Sequence, residues 1–184
     1  MKLNKDYKYL ILCEDKLTQC FVRHFLKSQG INGRKIFPFP LPAYGCGEQY
    51  VRSKFPKELK ELRSKSYDSE ILVVAIDADA SDYNKRKQQL VEACKLASVE
   101  SFTEKDKLLI FIPKRNIETW VKYFDGEDVD ENTDYAHFLN GHESDCYSAA
   151  EKMSNEFSQE NIKFNITSLN YAYTEYINLI KKSV

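Results

Sequence analysis

Three acidic residues stand where carboxylates can act together. Glu14 follows the apolar run Tyr9-Leu-Ile-Leu-Cys13, and Asp77-Ala-Asp79 follows Glu70-Ile-Leu-Val-Val-Ala-Ile76. Both runs have the length and near-continuous apolarity of buried strands. In parallel sheets, active groups lie beyond the carboxyl ends of the strands. Side chains alternate with period two along a strand, so Asp77 and Asp79 are expected on one side. With Glu14 they make a set of hard oxygen ligands. Mg²⁺ suits such a set, because it takes carboxylates and keeps waters for a phosphate substrate. Without a cation, three close carboxylates repel one another. The plainer alternative is acidic turn residues, since Asp is common in loops.

A second group lies in Ile112-Pro-Lys-Arg-Asn-Ile-Glu118. Lys114 and Arg115 can neutralise a phosphate, and Glu118 can bind a second metal or orient water. The alternative is a solvated helix start, with Glu118 favourable in its first turn. Gly45-Cys46-Gly47-Glu48 precedes a helix and offers backbone N–H groups to a phosphate, though a plain turn explains it as well. Asp125 to Asp134 is acidic enough for Ca²⁺ but lacks the Gly and closing Glu of a calcium loop, so a solvated loop is expected. His24 falls on an apolar helix face and reads as packing. His137 and His142 have no ligand partners at recognisable spacing. No Cys and His arrangement suggests a nucleophile.

These residues need elements to hold them. The strand before Glu14 is followed by an amphipathic helix with Leu17, Cys20, Phe21, His24 and Phe25 on its face, stopping near Gly30. Lys35 to Phe39 is a second strand, pushed to an edge or an early end by Pro38. After the loop 40–47 a helix begins at Glu48, and Pro56 is expected to start another at its first turn. Ser81 or Asp82 caps a helix with Tyr83, Lys87, Leu90, Val91 and Cys94 on its face. Leu108 to Ile112 is a strand ended by Pro113, and Asn116 caps a short helix through Trp120 and Phe124. From Phe124 to about Asp145 the chain is acidic and turn-rich, an insertion or lid. Thr167 or Ser168 opens a last helix with Leu169, Ala172, Tyr173, Tyr176, Ile177 and Ile180 on one face. The alternation β-α-β-α-β-α-β-α implies a parallel sheet covered on both faces, with right-handed crossovers.

Composition narrows the class. The chain has 184 residues, 42% hydrophobic and 30% charged, with a net charge of -1. That fits one globular domain and not a disordered chain. Residues 1–65 hold 14 Lys and Arg against 6 Asp and Glu, while residues 125–160 hold one Lys against 11 acidic residues. Such asymmetry suits one surface that meets an anion, or two differently charged solvated faces. The five cysteines include no CxxC pair, which argues against a zinc ribbon or a thioredoxin-like site. The apolar run near the start is too short for a signal peptide, and none approaches a membrane span. Free cysteines then point to a reducing cytoplasm and no membrane partner.

The two motifs resemble the Toprim superfamily, shared by topoisomerases, bacterial primases, recombination proteins and overcoming-lysogenization-defect nucleases. The matching stretches are Leu10-Ile-Leu-Cys-Glu14 and Val73-Val-Ala-Ile-Asp77-Ala-Asp79. The likeness implies a Rossmann-like Toprim fold: a central parallel sheet of about four strands flanked by helices, with a C-terminal helical extension. It covers roughly residues 7–125, giving a catalytic unit over 1–125 and an acidic loop with helical extension over 126–184, packed on the same domain. It implies that Glu14, Asp77 and Asp79 carry Mg²⁺, with Mn²⁺ as a substitute, and that these residues and Glu118 serve phosphodiester chemistry. Two departures stand out. Family members often have Gly after the Glu, where this chain has Asp15. Gly is also common near the Asp-x-Asp, where this chain has Ala80, Ser81 and Asp82. The segment 112–120 also looks like small Toprim-like proteins of bacterial defence.

The expected function is therefore a metal-dependent nuclease, with Lys16, Lys114 and Arg115 on the nucleic acid and the basic half around Arg23, Arg52 and Lys54 supporting them. A topoisomerase or primase needs further parts. The alternative is a non-catalytic subunit that binds metal or nucleic acid, or docks on an ATPase or other protein partner, since the chain has no GxxxxGK[ST] motif. A receiver-like site also stays open, with Glu14-Asp15, Asp77 and Lys114 imitating its pattern. A haloacid-dehalogenase-type site would place its Asp-x-Asp after the first strand, which this chain does not.

Overall fold

The computed structural model describes residues 1–43, 45–64, 69–79, 81–136 and 143–182. Four strands build its sheet: β1 (Lys8–Cys13), β2 (Ile36–Pro38), β3 (Glu70–Ala75) and β4 (Leu108–Phe111). All pairings are parallel and the order is β2-β1-β3-β4. Between them run α1 (Lys16–Ser28), α2 (Gly47–Ser64) and α3 (Tyr83–Leu96), followed by α4 (Ile117–Phe124), α5 (Tyr147–Phe157) and α6 (Thr167–Lys182). The α/β architecture with a four-stranded parallel sheet flanked by helices is as expected.

The sequence of the strands explains the layers. Alternate residues enter two separate cores, as period two requires. Tyr9, Ile11, Cys13, Ile71, Val73, Ala75, Leu109 and Phe111 join α1, α4, α5 and α6 on one face. Leu12, Leu72, Val74, Ile76, Leu108 and Ile110 join α2 and α3 on the other. Every residue of β3 is buried, as a central strand covered on both faces demands. The first core is aromatic. Phe25 meets Phe111, Phe157 and Tyr176 edge-on, with centroids 5.5 to 6.1 Å apart. Each such pair adds about 0.5–1.5 kcal/mol beyond the area it buries. Buried Gln29 ties the helices together. Its Nε2 donates to the Ser154 carbonyl at 2.8 Å and its Oε1 accepts from Tyr176 Oη at 2.7 Å.

Pro38 closes the edge strand β2, in line with its missing N–H. Asp82 caps α3, accepting from the Lys85 N–H at 2.7 Å. Gly30, with φ +90°, follows the end of α1 in the left-handed region that glycine tolerates.

Two elements differ from expectation. Pro56 does not begin a new helix but lies inside the single helix α2. An internal proline costs about 3 kcal/mol in an isolated helix. Here Val51, Phe55 and Leu59 on either side of it are fully buried in the second core. At about 1.5–3 kcal/mol each, that stripe outweighs the break. The second difference is α5, which falls in residues 146–166, a stretch to which no element of its own was assigned. Its buried residues Ala149, Ala150, Met153 and Phe157 have helical spacing, but Ser, Asn and Glu between them mask the stripe. Among the described residues, no helix is long and apolar enough to cross a membrane, and all five cysteines are free.

Candidate carboxylate site

The strand order reverses between β1 and β3. The chain leaves β1 toward β2 on one side, and enters β3 and β4 on the other. At such a point the loops diverge and open a crevice beyond the strand ends. Glu14 follows β1 and Asp77 lies just beyond β3, so both face this crevice by topology alone. They are joined directly: Glu14 Oε1 accepts from the Asp77 backbone N–H at 2.8 Å.

The local environment is unfavourable for negative charge. Burial pushes the Glu14 carboxyl up to about 7; the Asp77 N–H and Arg86 oppose the shift, while Asp79 and Asp15 add to it. Asp77 is raised well above the usual carboxylate range by burial first, then by Glu14, Asp15, Glu118 and Asp79. Its Oδ1 is sealed from solvent and has no hydrogen-bond partner among the described residues. Glu118, in the first turn of α4, is also pushed up to about 7, by burial and then by Asp15 and Asp134, against a backbone hydrogen bond that lowers it. A buried, unpartnered carboxylate oxygen costs about 1–3 kcal/mol, more when charged. Glu14, Asp77 and Glu118 thus share one electrostatic neighbourhood.

Asp79 is placed differently from expectation. β3 ends at Ala75, and Asp79 has φ +49°, so strand alternation does not extend to it. Left-handed backbone is strained for most residues but tolerated by Asp. Its Oδ2 accepts from Arg86 Nη2 at 2.8 Å. Arg86 also pairs with Glu48 on α2. Sequence patterning missed Arg86 and Glu48, because both sit amid many surface-like charges. Asp82, the cap of α3, was the available signal: it fixes which residue of the next turn points back at the loop. Gly47 is a further contributor. A Cβ there would lie 2.7 Å from both Glu14 Cβ and the Glu14 carbonyl oxygen, so only glycine lets α2 start this close to the end of β1.

Asp15, the departure from the resembled motif, has a local role. Its Oδ1 accepts from the Thr18 N–H at 2.9 Å and caps α1. Lys16 is the first residue of α1. Lys114 follows β4, beside the Asp77–Asp79 loop, because the Ala78 N–H donates to the Pro113 carbonyl at 2.9 Å. It lines a cavity of about 140 Å³ with Tyr83, Glu131 and Tyr171. Arg115 pairs with Asp134 at 3.5 Å. Asn116 precedes α4 without capping it by its side chain, which instead donates to Asp134 at 2.8 Å. The acidic stretch is tied to the helices: Glu131 accepts from the Thr167 and Ser168 N–H groups at the start of α6. His24 is partly buried and stacks on Tyr147 at 4.3 Å. Tyr44, Ala80, His137 and His142 lie outside the described residues.

Whether these residues suit a divalent cation has two answers. The donor chemistry fits: carboxylates that raise one another, with one buried oxygen left unpaired. The closure does not: among the described residues, no three His, Cys, Asp or Glu side chains group closely enough to hold a metal ion. Asp79 is held by Arg86 instead. No family model, curated protein or solved structure matches this chain.

Proposed function

We propose that this protein is a Toprim-like, metal-dependent phosphodiesterase acting on nucleic acid, in bacterial defence or DNA processing. The observation that carries the reading is Asp77. Its carboxylate lies at the strand-order reversal with Oδ1 buried and unpaired, pressed by Glu14 and Glu118. A fold gains nothing in stability from such a group, and functional sites are where strongly perturbed carboxylates gather.

Glu14, Asp77 and Asp79 are the residues that would hold Mg²⁺ or Mn²⁺. When bound, such an ion polarises a phosphodiester oxygen and lowers the pKa of water. The chain's own residues do the rest. Glu118, with a carboxyl near pH 7, can take up or release a proton at the reacting oxygen under neutral conditions. Lys16 and Lys114 follow β1 and β4 at the carboxyl end of the sheet, where they can meet phosphate oxygens, and Arg115 joins them by leaving Asp134.

One observation favours a second reading. The absence of a closed ligand group among the described residues suits a non-catalytic subunit that binds nucleic acid or docks on an ATPase partner. Plasmid DNA, linear DNA and single-stranded RNA incubated with Mg²⁺ or Mn²⁺ separate the two. Cleavage that disappears in a folded Asp77→Asn variant upholds the nuclease. Folded wild-type protein that cuts none of the three with either ion supports the subunit.

A further inference from the structure

We infer that Arg86 is the resident cation of the carboxylate site, and that a bound divalent ion must displace it from Asp79. The inference rests on the metal-binding reading above and deepens it.

The two partners of this ion pair are unequal. The Arg86 side chain is 4% exposed and that of Asp79 is 64% exposed. Arg86 Nη1 pairs with Glu48 and takes the Gln89 Oε1 at 2.8 Å, while Nη2 takes Asp79 Oδ2 at 2.8 Å. Glu48 is held a second time by Arg52 Nε at 2.7 Å. The guanidinium is therefore anchored from α2 and α3. Its Nε has no hydrogen-bond partner among the described residues, so only the fork of the group is used.

Asp79 is the partner free to change. It reaches solvent, it stands on a short loop in a left-handed conformation, and among the described residues its carboxylate is held by one arginine bond. An exposed carboxylate can exchange a guanidinium for a dissolved cation, whereas a buried arginine cannot follow it. This accounts for carboxylates of the right chemistry that are not gathered into a ligand group. Arg86 supplies a positive charge on the site and keeps Asp79 turned toward α3. It acts as a positioning residue through Asp79, and metal affinity is set by the competition between the two cations.

Mn²⁺ titration calorimetry on the full chain tests this without any turnover. Arg86→Met is expected to bind Mn²⁺ roughly three- to tenfold tighter than wild type, the scale of one charge-assisted pair at a partly exposed site. In an Asp79→Asn background the same change should have about twofold effect or less, because no pair remains to be broken. A purely long-range charge effect would persist undiminished there, and that result overturns the inference. Arg86→Lys covers the case in which the Met variant fails to fold. It keeps the charge but gives up the fork between Glu48 and Asp79, so tighter binding is still expected, and only with Asp79 present. Wild-type protein that binds Mn²⁺ beside folded Arg86 variants of equal or weaker affinity refutes the competition and leaves the metal reading standing. No heat from wild type or any folded variant removes the metal reading, and this inference with it.

Discussion

Buried Asp106 and half-buried Asp77, at opposite ends of the same sheet, have opposite fates. Asp106 lies just before β4, at the amino end of the strands. Arg63 grips it with both arms, Nε to Oδ1 at 2.7 Å and Nη2 to Oδ2 at 2.8 Å, and the Thr103 N–H adds a third bond at 2.7 Å. Burial works against its charge, but these donors outweigh burial and hold the carboxyl below its ordinary range. Asp77 lies at the carboxyl end. Burial raises it too, and its neighbours Glu14, Asp15, Glu118 and Asp79 push the same way. One carboxylate is surrounded by donors and fastens a loop. The other is pressed by acids, and among the described residues its Oδ1 has no hydrogen-bond partner. The same residue type on the same sheet thus meets two opposite electrostatic settings, and the proposed function assigns chemistry only to the second.

The comparison breaks most sharply at activity. Asp77→Asn should reduce metal-dependent cleavage by a factor on the order of 10³ or more, while its melting temperature stays level or rises. Asp106→Asn should do the reverse, leaving cleavage unchanged and lowering stability by roughly 2–3 kcal/mol in a denaturant titration. If Asp77→Asn were the destabilised one, the contrast between the two ends would be lost.

A smaller effect is expected at Gly47. Gly47→Ala places a methyl 2.7 Å from Glu14 Cβ and carbonyl oxygen, and should cost about 1–3 kcal/mol by overpacking. Denaturation that matches wild type would show that α2 is not pressed on the site.

The smallest effect is in pH. The carboxyls of Glu14 and Glu118 sit near 7 in the folded protein, above their ordinary 4.5. Between those values the native chain holds protons that the unfolded chain has released. Their contribution to stability is therefore complete below about pH 4.5 and is lost as pH rises through about 7. Asp106 has the opposite sign, its contribution being lost as pH falls. Without divalent cations, the melting temperature should drop by several degrees from about pH 5.5 to about pH 8. A Glu14→Gln/Glu118→Gln variant should flatten that slope, and an unchanged slope would assign it to other groups.

Much of this was legible in the residues. The runs before Glu14 and Asp77 read as buried strands, and Pro38 pointed to an edge or an early end; β2 is an edge strand that ends at Pro38. Ser81 or Asp82 announced the start of α3, because a cap and its helix are neighbours in sequence, and Asp82 is the one that caps it. Pro56 misled, since a local rule about prolines cannot weigh the burial of Val51, Phe55 and Leu59 around it. The helix α5 was hidden because its polar residues speak louder than Ala149 and Ala150, whose small side chains become core only against α1 and α4. In the site, the carboxylates were visible and their partners were not. Asp79 was expected to follow strand alternation, but the chain had already left the strand.

Which segments are strands, that they run parallel, and that acidic residues stand at two strand ends could all be read from the residues. These follow from periodicity and composition, which are local. The three-dimensional fold was needed for the strand order β2-β1-β3-β4, which sets the ends of β1 and β3 side by side and brings Glu14 onto the Asp77 N–H. It alone decided that Asp106 meets Arg63, 43 positions away, and that Arg86 stands between Glu48 and Asp79. The physical reason is that the charge state of a buried acid depends on what surrounds it in space, and those surroundings come from distant parts of the chain.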